Sequence, residues 1–139
     1  MQNIYITTPI YYVNDKPHVG HAYTSVACDA LARFYRLKGY EVFFLTGTDE
    51  HGLKIQQAAE QKEVTTQTFV DDMSTNFQNL TQILNLTNDD FIRTSSDRHI
   101  AGVRKFWEKL STNNQIYLDK YSGWYSVRDE AFYLSLIHI

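Results

Sequence analysis

Apolar and polar positions in this chain follow two different periods, and the switches between them mark its elements. Ile4 to Thr8 alternates, is rich in β-branched and aromatic residues, and predicts a strand that Pro9 ends. From Val19 to Leu37 the apolar positions Ala22, Val26, Ala30, Leu31, Phe34 and Leu37 recur at three- and four-residue steps, which predicts a helix with one apolar face. Lys38-Gly39 stops it. Val42 to Thr46 is a short continuous apolar run, suiting a strand buried on both faces. Gly47 to Gly52 reads as a glycine-bounded loop, and Leu53 to about Lys62 as a second helix.

A strand, a helix and a second strand in that order make a crossover. Such crossovers are right-handed and place their strands parallel, so the fold class is α/β with a parallel sheet. The loops at Pro9–Pro17 and Gly47–Gly52 each follow the carboxyl end of a strand. They therefore meet at one edge of the sheet, where open α/β sheets bind ligands.

Further along, Phe69, Val70, Met73, Phe77, Leu80, Ile83 and Leu84 form a helical stripe after Thr65-Thr66, which reads as core or partner packing. Asp90–Thr94 predicts a short strand. Ser95-Ser96 cap a helix carrying Val103, Phe106, Trp107 and Leu110, broken at Asn113-Asn114. Tyr117 to Tyr125 is strand-like with a turn near Ser122-Gly123. Leu134 to Ile139 resumes no pattern, and the expectation is a truncated chain with a non-native tail.

Composition narrows the class of function. The 139 residues are enough for one compact domain. A net charge of −3 gives no global basic field, so most phosphate contacts of any nucleic-acid substrate should lie outside this segment. The lone Cys28 excludes an internal disulfide and a CxxC metal knuckle, and its place on the helix stripe makes it a small buried hydrophobe. No apolar run approaches the ~20 residues that span a bilayer. Met1-Gln2-Asn3 lacks a basic leader region, so the protein is expected in the cytoplasm, away from membranes.

The candidate chemistry sits in two places. Pro17-His18-Val19-Gly20-His21 places two imidazoles at a helix start, three residues apart and on one face. Free N–H groups and the helix dipole favour phosphate there. Gly20 lets a flat ring or ribose approach the backbone. The same pair is also what a surface helix cap needs. Asp49, Glu50 and His51 follow the second strand, where a carboxylate can hold an ammonium group or be a solvated turn acid. With Ile10 and Tyr12 from the facing loop, Asp49 outlines a small pocket with an apolar wall and one anionic contact, which suits an amino acid.

The run from Tyr5 to His21 resembles the start of class I aminoacyl-tRNA synthetases, whose HIGH motif matches His18-Val19-Gly20-His21. Thr7-Thr8-Pro9-Ile10-Tyr11-Tyr12-Val13-Asn14 and Phe44-Leu45-Thr46-Gly47-Thr48-Asp49-Glu50-His51-Gly52 resemble the methionyl-tRNA synthetase family. So do Asp90-Phe91-Ile92-Arg93-Thr94 with Arg98-His99, and the run Gly123 to Tyr133. The likeness covers about residues 4 to 133.

The resemblance implies a Rossmann-like parallel sheet, the first half of a catalytic domain and incomplete. Residues 1–113 would be that half, and 114–139 the start of an inserted connective region. It implies that methionine and ATP, the latter with Mg2+, form methionyl-adenylate, whose methionyl group passes to tRNA(Met). His18 and His21 would be catalytic. His18, Gly20, His21 and Asn14 would bind ATP, and Ile10, Tyr12 and Asp49 would bind methionine. No protein nucleophile is needed, because the substrate carboxylate attacks the α-phosphate.

Where many members carry the first CxxC of a zinc knuckle, this chain has Ser126-Val127-Arg128-Asp129, so it resembles the zinc-free bacterial type and no structural zinc is expected. The lysine-bearing KMSKS loop and the anticodon-binding domain are absent from the sequence, and Ser135 to Ile139 leave the family pattern. The chain on its own is therefore expected to be an inactive, aggregation-prone piece. Two alternatives stand beside this reading: another HIGH-type nucleotidyltransferase, and a non-catalytic fragment.

Overall fold

Backbone alternation in one strand decides where the other strands sit. The structure, a computed structural model, describes residues 2–133. The expectations about the tail from Leu134 to Ile139 lie outside the described residues. At the centre of a four-stranded parallel sheet is β3 (Glu41–Asp49). Its successive carbonyls point to opposite edges. Leu45 and Asp49 accept from Thr8 N–H at 3.1 Å and Val13 N–H at 3.4 Å. Phe44 and Thr48 accept from Asp89 N–H at 2.8 Å and Thr94 N–H at 3.2 Å. So β1 (Asn3–Thr7) and the two-residue β2 (Tyr11–Tyr12) follow one another along one edge, and β4 (Asp90–Arg93) lines the other.

The parallel α/β arrangement agrees with the sequence pattern, and three of its details do not. The expected loop after Pro9 contains β2, because Tyr11 and Val13 are buried rather than presented to solvent. With α2 (Leu53–Gln61) and α3 (Thr66–Ile83) they build the main core, which comprises Tyr11, Val13, Ile55, Ala59, Phe69, Val70, Met73 and Phe77. The central strand runs on through Gly47, Thr48 and Asp49, which the sequence reading placed in a loop. Finally, β3 is not buried on both faces along its whole length. Phe44, Thr46 and Thr48 are enclosed, while Phe43 on the opposite face is exposed and packs its ring against Tyr5 at 5.8 Å.

Gly47 is a strand residue because β4 comes too close for a side chain: a Cβ there would collide with the Ile92 carbonyl. Gly47→Ala is expected to cost about 1–3 kcal/mol through overpacking. A denaturant midpoint equal to that of the wild type would refute this close approach.

α1 (Val19–Leu37) has the bounds that the periodicity predicts, but its apolar stripe is not the buried face. Ser25, Asp29 and Ala32 face inward, whereas Val26 is 48% and Leu37 88% exposed. The inward face is polar because it is a clamp. Asp29 accepts from Thr87 N–H and Thr87 Oγ1, both at 2.6 Å, and from Arg33 Nε at 2.6 Å. Arg36 donates to Thr87 Oγ1 at 2.6 Å and to Asp89 at 2.7 Å. These bonds tie α1 to the segment leading into β4. Cys28 is half-buried, its thiol 3.7 Å from the Thr7 carbonyl, and burial pushes its pKa up.

The chain divides into two units, residues 1–103 and 104–139. α4 (Asp97–Thr112) runs through that boundary, and its first turn is capped by Ser96, whose Oγ accepts from His99 N–H at 3.4 Å. Val103, Phe106 and Trp107 on this helix are exposed. In the second unit, Tyr117–Gly123 is not a strand. Instead β5 (Trp124–Ser126) and β6 (Ala131–Tyr133) form an antiparallel hairpin whose turn falls at 127–130. Ser126 Oγ donates to Asp129 at 2.8 Å, and Tyr133 donates to the same carboxylate oxygen at 3.1 Å. These bonds close the turn at the place where the resemblance would put a CxxC. Among the described residues no helix is long and apolar enough to cross a membrane.

Candidate functional site

The two histidines form a capping box. His18 is the N-cap of α1 in an extended conformation, and its Nδ1 accepts from Gly20 N–H at 3.1 Å. His18 N–H in turn donates to His21 Nδ1 at 3.0 Å. Both bonds require an unprotonated Nδ1, so each neutral ring carries its hydrogen on Nε2. The rings lie 4.0 Å apart, centroid to centroid. Among the described residues neither Nε2 makes a hydrogen bond, so both remain donors for a ligand. The helix-cap reading and the phosphate reading are thus compatible, since the cap orients the donors. Gly20 has a further reason to be glycine, because a Cβ would stand 2.9 Å from the His18 ring.

His21 is fixed from behind as well. Its ring meets Tyr11 edge-on at 4.9 Å and Phe77 at 5.1 Å. The Tyr11 and Ser25 hydroxyls share a 2.7 Å hydrogen bond, and burial raises the Tyr11 pKa. Burial, with a smaller contribution from the neighbouring His18, holds the His21 pKa below 6.5. A base whose folded pKa is lowered stabilises the fold fully above its unfolded pKa and loses that contribution as pH falls below it. The His21 contribution to stability is therefore full at neutral pH and falls on acidification below about 6.5. In an NMR titration the His21 ring signals are expected to move with a midpoint below 6.5, and a midpoint at or above that value would contradict this packing.

Asp49 ends β3, beside β2. The register pairs Tyr12 with Asp49 and Tyr11 with Thr48. Tyr11 therefore backs His21, while Tyr12, whose side chain points to the other face of the sheet, is the register partner of Asp49. Gly52, at φ +130°, adopts a backbone conformation that disfavours side chains, and a Cβ there would strike the Tyr12 hydroxyl. Tyr12 thus reaches across to the loop after β3. Ile10 and Asn14 flank β2 on the same segment. Ile10 is 45% exposed and Asn14 is exposed, and among the described residues neither is hydrogen-bonded to the group.

Glu50 is no solvated turn acid. It is 3% exposed, and Arg93 grips it with Nε at 2.7 Å and a second guanidinium nitrogen at 2.9 Å. Thr48 Oγ1 donates to it at 2.7 Å, and Ser95 Oγ makes a further short bond. Burial alone would raise the Glu50 pKa, but the bonds from Arg93, Ser95 and Thr48 outweigh it and hold the carboxyl below 4.5. Arg93 also donates to Asp71 at 2.5 Å. Thr94 Oγ1 accepts from Glu50 N–H at 2.8 Å and lies 3.0 Å from His51 Nδ1. Sequence reasoning missed this knot. Its only trace was the polar run Arg93-Thr94-Ser95 closing a short strand. Among the described residues no group of three or more His, Cys, Asp or Glu is placed to hold a metal ion.

Comparison with known proteins identifies the family. Residues 4–136 match the pattern of the family described as tRNA synthetases class I (M). The methionine–tRNA ligase of Rickettsia bellii is 60% identical over 129 residues, covering 93% of this chain and 25% of that protein. The Bacillus subtilis methionine–tRNA ligase is 57% identical, covering 93% of this chain and 19% of that protein. A structure of Mycobacterium tuberculosis methionyl-tRNA synthetase in complex with methionyl-adenylate superposes with a TM-score of 0.89 at 51% identity. That match covers 96% of this chain and 26% of the other. The chain thus spans about a fifth to a quarter of the length of such relatives. The parallel sheet is the first part of their Rossmann-like catalytic domain. With the family pattern running over nearly all of its length, this chain belongs to the class I (M) tRNA synthetases, the methionyl-tRNA synthetase family.

Proposed function

We propose that the protein to which this chain contributes is a cytoplasmic methionine–tRNA ligase, which joins methionine to ATP as methionyl-adenylate and passes the methionyl group to tRNA(Met). What supports the proposal is the family pattern over residues 4–136, together with the paired rings of His18 and His21 that the cap locks at the start of α1. The proposal takes the two histidine rings as N–H donors toward the nucleotide and Asp49 as the carboxylate for the amino acid, with Tyr12 and Ile10 beside it.

In this reading Asp49 takes the methionine ammonium, and Ile10 and Tyr12 flank the side chain. His18, Gly20, His21 and Asn14 take the nucleotide. The methionine carboxylate attacks the α-phosphate, so the protein supplies position and charge stabilisation rather than a nucleophile. The Nε2 donors of His18 and His21 lie on rings already locked by the cap, and they stabilise charge as it grows on the phosphate oxygens. Mg2+ accompanies ATP, and no step of the proposal depends on a metal ion held by these residues.

Amino-acid-dependent ATP–pyrophosphate exchange by a full-length protein carrying this sequence tests the proposal. Exchange is expected with methionine, and exchange driven by a different amino acid would overturn it.

A further inference from the structure

Asp49 is lightly held for a residue with so demanding a role. Among the described residues its carboxylate makes one hydrogen bond, from His51 N–H at 3.3 Å. Its aim must therefore come from the backbone, and the backbone there is fixed by its neighbour. Successive side chains of an extended segment point opposite ways, so a Glu50 held inward sends Asp49 outward. Glu50 is held by four bonds from three side chains, Arg93, Ser95 and Thr48. Its own N–H is caught by Thr94. Arg93, Thr94 and Ser95 are consecutive at the end of β4, and Arg93 is itself anchored to Asp71 on α3.

We infer that Arg93 is a positioning residue for the amino-acid substrate: by clamping Glu50 to the inner side of the sheet it fixes the Asp49 carboxylate in the direction of the methionine ammonium. The inference deepens the proposed function and rests on its assignment of Asp49. The two-pronged grip matters more than the charge. A guanidinium fixes both oxygens of Glu50, whereas an ammonium would hold only a point and let the carboxylate turn.

The test is Arg93→Lys in a full-length ligase carrying this sequence, which keeps the charge and loses the fork. In the exchange assay KM for methionine is expected to rise about tenfold, with KM for ATP and kcat changing less than about twofold. The competitor 4-(methylthio)butanoate is methionine without its ammonium group. Its inhibition constant is expected to be the same in wild type and variant. Equal weakening of methionine and of this competitor would overturn the inference, because the defect would then be a general loosening of the pocket. Wild-type enzyme that binds the two equally well would remove the ammonium role of Asp49 and bring the inference down with it. Ser95→Ala removes one bond to Glu50 and no charge. It is expected to show the same split at smaller size, and it carries the test should Arg93→Lys fail to fold. Ser95→Ala with methionine and competitor affected alike would equally overturn the inference.

Discussion

Replacing His21 by alanine in the full-length ligase is expected to slow adenylate formation by about 10²- to 10³-fold, with methionine bound nearly as before. The His21 ring is locked by the His18 N–H at 3.0 Å and by Tyr11 and Phe77, so in the proposed reaction its Nε2 donor would already be in place when charge develops at phosphorus. A contact that strengthens only in the transition state appears in kcat, not in substrate affinity. Alanine also removes half of the capping box, which costs about 0.5–2 kcal/mol of stability. A thermal melt beside the single-turnover rate separates the two losses. A variant that forms adenylate at the wild-type rate would end the catalytic assignment of His21.

Asp49→Ala is expected to act on the other side of the same step. It should weaken methionine binding by about 2–5 kcal/mol, which is roughly 30-fold to several thousand-fold in affinity. The ammonium of a bound amino acid loses its water and must find an anion. Glu50, the next carboxylate in the chain, is already committed to Arg93 and cannot turn to serve. Calorimetry on the full enzyme reads the effect, and equal affinity in wild type and variant would refute it. Together the two variants should separate cleanly, one in rate and the other in binding.

The sequence exposed the elements of this fold more clearly than their surroundings. Periodicity located α1 to the residue, since a helix is a local object. Its inward face was hidden, because Ser25, Asp29 and Ala32 are buried by partners such as Thr87, 58 residues beyond Asp29, that no local pattern reveals. Gly47 looked like a loop marker because glycine usually punctuates. Here it is a strand residue made small by β4, which lies beyond two intervening helices. The histidines were legible as a motif, but their shared tautomer was not, since it follows from which backbone N–H each ring accepts. Glu50 and Arg93 meet across 43 residues, and only the paired strands β3 and β4 bring them together.

That knot has a consequence for how the protein is made. Every group that orients Asp49 lies between Thr48 and Ser95, and every group that orients His21 between Tyr11 and Phe77. Translation at about 5–20 residues per second delivers the first 95 residues in roughly 5 to 20 s. The cradle proposed for the amino acid can therefore take shape on the ribosome, as soon as Ser95 has cleared the exit tunnel.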